Sequence, residues 1–286
     1  MFIEITHTTT YAFSRPVFLE PHTLRLRPRS DASQHLIRFE LQVEPRPAGV
    51  SEGLDLEGNS VAHAWFEGLT DSLRVETRCE VETCRANPFD FIVSDPSADR
   101  LPVEYAAELL PSLALYRSRE GSDDGVAGFA GSIADEVGGR SLPFLAALTR
   151  RILERCEVTI REEGEPQTPG VTLEGRRGAC RDLAVLFVDA CRALGFGARF
   201  VSGYQEGGAD QERRELHAWA EVYLPGGGWR GYDPTLGLAV ADRHVAVAAG
   251  VRPALAAPIA GSFRGSGVSS RIHADIRIQV SGRVQP

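Results

Sequence analysis

Residues 175–200 read GRRGACRDLAVLFVDACRALGFGARF, and no other stretch restricts the fold so tightly. From Cys180 to about Leu194 the pattern is helical, with Leu183, Ala184, Leu186, Phe187, Val188, Ala190 and Leu194 spread over most faces. A helix that is apolar on most sides must be buried on most sides. The chain therefore has to enclose it, and 286 residues suffice for a core of that size. Gly195 supplies the stop signal. At the other end a cysteine stands where a glycine-rich loop enters the helix. Cys180 could be a packing residue, a metal ligand or a nucleophile, and the rest of the chain has to decide.

Upstream, residues 1–97 read as β. MFIEITHTTTYAF is rich in β-branched and aromatic residues, and LIRFELQVEP alternates Ile37, Phe39, Leu41 and Val43 with polar partners. HTLRLRPR alternates Leu24 and Leu26 with Arg25, Arg27 and Arg29, read as a solvated strand face rather than an anion site. Gly58-Asn59 marks a turn, and SLRVETRCEVET continues the period of two. Short strands at regular intervals predict a β-sandwich. Beyond Pro88, Pro96 and Pro102 the pattern changes. PVEYAAELLPSLALY, GVAGFAGSIADEV and SLPFLAALTRRILERC read as helices, the last with Ser141 as N-cap and Phe144, Leu145, Leu148, Ile152 and Leu153 as its apolar stripe. Residues 157–179 read as a long polar loop with one strand. ARFVSGY and LHAWAEVYL read as strands, PGGG as a turn, and WRGYD as the returning strand. Residues 239–260 read as a low-complexity Ala/Val/Pro stretch. SSRIHADIRIQV alternates Ile272, Ala274, Ile276 and Ile278, and is expected to return to the β-domain. The expected organisation is a β-rich domain over 1–97, completed by 262–286, and a second domain over 98–261.

Formal net charge is −8 without a basic stripe, which argues against nucleic acid and anionic membranes as partners. The first residues lack the layout of a signal peptide and no run is long enough to span a bilayer, so the expected location is cytoplasmic. The five cysteines, Cys79, Cys84, Cys156, Cys180 and Cys191, are odd in number in a long chain with no export signal expected, so no disulfide framework is expected, and the lack of a C-x-x-C pair argues against structural zinc.

Chemistry converges on Cys180. A helix N-terminus favours negative charge, the thiolate is the reactive form of cysteine, and Arg176, Arg177 and Arg181 add positive charge nearby. The same N–H groups can receive an oxyanion. Cys191, inside the helix, is expected to be structural. Of the seven histidines only His217 has a setting that suits a base. On HAWAEVY, His217, Trp219, Glu221 and Tyr223 share one strand face, and pairing about PGGG brings Asp233 within a few positions of His217. The Asp233 carboxylate can then accept the ring N–H and fix the tautomer. Alone, His217 would read as structural; with both partners the functional reading is preferred. Cys180, His217 and Asp233 as a metal set remains an alternative. GRRGACRD is no Walker loop, GFG is too short for a dinucleotide fingerprint, and HAWAE is not a zincin motif. Asp182 reads as a first-turn anion, a cap or an arginine partner. Tyr204 and Trp219 are candidate cleft residues, with core packing as the plainer reading.

Taken together, G-x-C-R-D, H-A-W-x-E-V-Y and G-W-x-G-Y-D-P-T make the sequence resemble the bacterial transglutaminase-like family, and YAFSRPVFLEPHTLRLRPR with DLEGN resembles the β-rich domain that accompanies it. The resemblance implies an α+β fold: an N-terminal β-sandwich and a papain-like, transglutaminase-like catalytic core. It implies Cys180 as nucleophile, His217 as general base and acid, Asp233 as orienting acid, and no cofactor or metal. Ala179 and Leu183 depart from the bulkier aliphatic and aromatic residues common at those positions, which bears on pocket shape. The implied activity is acyl transfer on a peptide or protein amide through a thioester. Hydrolysis is favoured because water is the default acceptor. Transglutaminase activity with an amine acceptor, or a non-catalytic scaffold on the same fold, are the alternatives.

Overall fold

The computed structural model describes residues 1–119, 121–161, 163–207 and 214–281. The first part of the chain forms strands β1 (Phe2–Leu19), β2 (His22–Leu24), β3 (Gln34–Glu44), β4 (Gly49–Leu54), β5 (Ser60–Trp65) and β6 (Thr70–Thr83). The central part carries α1 (Leu110–Leu113), α2 (Asp124–Glu136), α3 (Ser141–Arg155), β7 (Glu157–Val158), α4 (Pro169–Gly175), β8 (Arg177–Gly178) and α5 (Cys180–Ala193). Then follow β9 (Ala198–Gln205), β10 (His217–Leu224), β11 (Gly228–Asp233), β12 (Leu238–Ala239), β13 (His244–Gly250), β14 (Ile259–Ala260), β15 (Phe263–Arg264) and β16 (Ser270–Ser281).

The fold is α+β. Two antiparallel sheets make the sandwich: β15-β1-β6-β3, with β16 also on β1, faces β14-β2-β5-β4. Val17, Leu19, Leu24, Ala62, Ala64, Leu73 and Val75 from both sheets form its core. The expected return of the last strand is observed. β16 runs antiparallel along β1 from Phe2 opposite Ser281 to Phe13 opposite Ser270. Residues 282–286 of that return lie outside the described residues. The arginines of the second strand have separate fates. Arg25 pairs with Asp55, Arg29 with Glu221, and Arg27 lies over the Phe39 ring.

The second core is a sheet of order β12-β11-β10-β9-β13 packed on α5, which is in turn covered by α2, α3 and α4. Leu183, Leu186, Phe187, Ala190 and Cys191 of α5 are all fully buried, as its all-round apolar pattern requires. At its C-terminus Gly195 takes φ +84°, while Phe196 N–H bonds Cys191 C=O and Gly195 N–H bonds Arg192 C=O. These are the paired bonds of a Schellman cap.

Several local expectations need correction. Ser141 is the first helical residue of α3 rather than its N-cap; Arg140 holds the cap position with no side-chain bond. Leu153 is the exposed end of the stripe. PVEYAAELLPSLALY yields only a four-residue turn of helix, α1, and a short 3-10 segment. The expected long loop contains α4, started by Pro169 at its first turn. The stretch 239–260 holds β13, whose residues His244–Gly250 are all buried.

β13 is an edge strand of the second sheet, and the sandwich covers it. Gln34 donates to Ala246 C=O at 2.9 Å and accepts from Ala246 N–H at 2.8 Å. Asn59 donates to Ala249 C=O at 2.7 Å and accepts from Ala249 N–H at 2.8 Å. Two side-chain amides thus pair with backbone groups that an open edge would leave unmatched. Beside them Ile3, Ile5, Val81 and Ile276 of the sandwich pack on Tyr204, Val245 and Val247.

Candidate active site

The site forms where the N-terminus of α5 meets the ends of β10, β11 and β13. Cys180 is the first residue of α5, follows Ala179 at the cap, and is partly exposed. At that position its N–H lies ahead of the intrahelical hydrogen-bond ladder. Gly178 is required just before it. A Cβ there would fall 2.9 Å from Asp182 Cβ and 3.2 Å from Thr172 Cγ2.

Asp182 organises this turn. Fully buried, it accepts from Ala179 N–H at 2.8 Å through one oxygen and from Gln167 N–H at 2.8 Å through the other, and it pairs with Arg161. It therefore caps the helix and fastens the segment 161–167 to it. The Arg181 guanidinium donates to the carbonyls of Arg161 and Glu163, and Arg176 and Arg177 are exposed. The arginines expected to bias the sulfur are thus spent on the loop or on solvent, and the helix terminus supplies the positive end.

Antiparallel pairing of Ala220 with Tyr232 carries Asp233 to the His217 end of β10. His217 Nε2 donates to Asp233 Oδ2 at 2.7 Å. With Nε2 so committed, Nδ1 is the ring nitrogen left for Cys180, whose side chain acts on the ring as a smaller influence than Asp233. Burial alone would lower the His217 pKa. The charge and hydrogen bond of Asp233, then the bond and charge of Cys180, outweigh it and push the value up to about 10. Burial likewise opposes the charge on Asp233. The charge and bond of His217, joined by those of His244, hold its carboxyl well below the usual range. The arrangement can keep a proton on an imidazole beside a sulfur and deliver it to a leaving group.

Cys180, His217 and Asp233 are brought together. Tyr204 and Trp219 are not cleft residues: each is 1% exposed. Tyr204 faces the sandwich and hydrogen-bonds His7 Nδ1 at 2.9 Å, while Trp219 packs on Val201, Ala246 and Ala249. Cys191 is sealed in the core, and burial pushes its thiol well up.

His244 is the residue that sequence reasoning passed over. Its Nε2 donates to the same Asp233 Oδ2 at 3.0 Å. The available signal was weak: a histidine opening the buried run HVAVAAG. His217, Asp233 and His244 place ligand-type atoms within 4.8 Å of one another, so this set, rather than one with Cys180, could hold a metal ion. The observed contacts are instead two N–H bonds converging on one oxygen. A metal there would move the His244 proton to Nδ1, which is buried with no acceptor among the described residues.

Residues 3–82 match the model of the bacterial transglutaminase-like N-terminal region, and residues 132–234 match that of the transglutaminase-like superfamily. The second match spans Cys180, His217 and Asp233 and stops short of His244. The chain is 26% identical over 280 residues to the uncharacterized protein ML0607 of Mycobacterium leprae, covering 93% of this chain and 95% of that one. It is 26% identical over 273 residues to the uncharacterized protein Rv2569c of Mycobacterium tuberculosis, covering 90% and 86%. Among solved structures, a protein of Cytophaga hutchinsonii described as a candidate cysteine protease shares the fold. Its TM-score is 0.70 at 23% identity, over 99% of this chain and 92% of that one.

Proposed function

We propose, from the premise that this chain belongs to the bacterial transglutaminase-like family, that it is a thiol-dependent hydrolase of peptide or protein amide bonds. The observation that carries this reading is His217 Nε2 held 2.7 Å from Asp233 Oδ2, on a strand packed against α5, whose first residue is Cys180. The Cys180 thiolate attacks the amide carbon, forming an S–C bond and an oxyanion beside the Cys180 N–H. As the C–N bond breaks, its electron pair takes the proton from His217 Nδ1 and the amine leaves. The thioester no longer bears the thiolate charge that helped hold the proton on His217. The neutral ring then takes a proton from water as its oxygen attacks the thioester carbon. Collapse breaks the S–C bond, releases the acid and restores the thiolate and imidazolium. Throughout, Asp233 stays ionised and fixes the ring. The Cytophaga hutchinsonii protein's description as a candidate cysteine protease agrees with this choice.

The test is trapping. The protein is incubated with a peptide library and digested, with Cys180→Ala alongside, and both are read by mass spectrometry. An acyl adduct on Cys180 and shortened peptides, both absent from the variant, are expected. Adducts resolved only by added amine would replace hydrolysis by transamidation. Products unchanged by Cys180→Ala would overturn the thiol mechanism.

A further inference from the structure

His244 opens β13 and is 5% exposed. Its ring is held edge-on to Trp219, with centroids 5.2 Å apart, and lies 6.1 Å from the His217 ring. Gly203 permits this, because a Cβ there would fall 2.6 Å from the Trp219 ring. The polar side of His244 is one-sided. Nε2 donates to Asp233 Oδ2 at 3.0 Å, while Nδ1 is buried with no partner among the described residues.

A ring kept only to fill space would be better apolar, since an unpartnered buried nitrogen destabilises the fold. What an apolar ring cannot supply is the bond to Asp233. That carboxylate is held on its other side by backbone, with Oδ1 accepting from Thr235 N–H at 2.9 Å and Leu236 N–H at 3.3 Å. Without His244, Oδ2 would be held by His217 alone, and only the Oδ1 bonds would set the plane of the carboxylate.

We infer that His244 is a positioning residue: it pins Asp233 Oδ2 so that this oxygen aligns His217 Nε2 and turns the opposite ring nitrogen toward Cys180. The inference rests on the proposed triad and adds a histidine that touches neither the sulfur nor a substrate. It acts from β13, the strand clipped by the sandwich, so the β-domain bears on the site through this residue.

The experiment uses the full chain and two variants. His244→Phe keeps a ring and loses the donor, and His244→Gln offers an amide N–H in place of Nε2–H. Two quantities are read: the rate of Cys180 carboxymethylation by iodoacetamide, mapped by mass spectrometry, and the His217 imidazole resonances in nitrogen-15 NMR. His244→Phe is expected to slow alkylation about tenfold, the order set by one hydrogen bond to a charged group. It should also shift the His217 resonances. His244→Gln should recover most of the rate and the wild-type resonances. A folded His244→Phe with unmoved rate and resonances overturns the inference, as does a folded His244→Gln as slow as His244→Phe. If His244→Phe does not fold, His244→Ala is read in its place. If wild-type Cys180 reacts no faster than Cys84, the triad itself falls; unmoved His217 resonances in the donor-less variant then separately overturn the positioning role.

Discussion

Asp233 lies between two imidazoles, sealed from water, with each oxygen engaged twice. Its partner His217 makes the residue-scale prediction. The His217 pKa rises on folding from 6.5 to about 10. A group whose pKa is raised by folding stabilises the native state fully below the unfolded value and loses that contribution as pH climbs through the folded one. Unfolding free energy from urea titrations should therefore fall between pH 6.5 and about 10, with a limiting slope near ~1.4 kcal/mol per pH unit. Asp233→Asn, which removes the main opposing charge, should flatten that decline. A slope equal in wild type and variant would detach His217 from Asp233. These residues were legible in the sequence because a short hairpin fixes their separation. His244 was not, because its approach to Asp233 depends on β13 pairing across β9, a contact no local pattern encodes.

At the scale of elements, the first turn of α5 is only as firm as Asp182 makes it. Asp182→Ala strands the Ala179 and Gln167 N–H groups and leaves Arg161 without its partner. Loss of a buried ion pair costs several kcal/mol; Arg161 is partly exposed, so about 2 kcal/mol is expected. Denaturant midpoints measure it, and Cys180 alkylation should slow in parallel. Gly178→Ala should destabilise by about 1–3 kcal/mol through overpacking against Asp182 and Thr172. A neutral Gly178→Ala would mean that the turn can shift. α5 was readable because apolar residues on every face demand enclosure, and the β10–β11 hairpin because its turn glycines are explicit. α4 and β13 were hidden for opposite reasons. α4 lies in a polar, glycine-rich stretch with little periodicity, and β13 is buried on both faces, so it shows no alternation.

Across the whole molecule, the sandwich serves as the cover for an edge strand. Gln34 and Asn59 complete the hydrogen bonding of Ala246 and Ala249 from outside the sheet. Asn59→Ala leaves both Ala249 groups unpaired, while Gln34→Ala strands Ala246 N–H and leaves its C=O to the Arg29 N–H, and in each case a loss of about 1–3 kcal/mol is expected. Hydrogen exchange at the Ala246 and Ala249 amides should accelerate in the corresponding variant, while amides in the centre of α5 stay protected. Equal acceleration everywhere would mean global destabilisation instead of a local clip. The sandwich and its returning strand were legible from the period of two at both ends of the chain. The docking of the two cores was not. Tyr204 and Trp219 looked suited to a cleft on sequence grounds, yet the approach of β1 and the packing on β13 bury both.

Cysteine-resolved alkylation reaches the central claim most directly. Iodoacetamide labelling of the wild-type chain, quenched over time and mapped by mass spectrometry, should modify Cys180 well ahead of Cys79, Cys84, Cys156 and Cys191. His217→Ala should slow that single reaction at least about tenfold, since the imidazolium no longer supports the thiolate. Labelling of Cys180 at the pace of Cys84, or a rate indifferent to the loss of His217, would contradict the account.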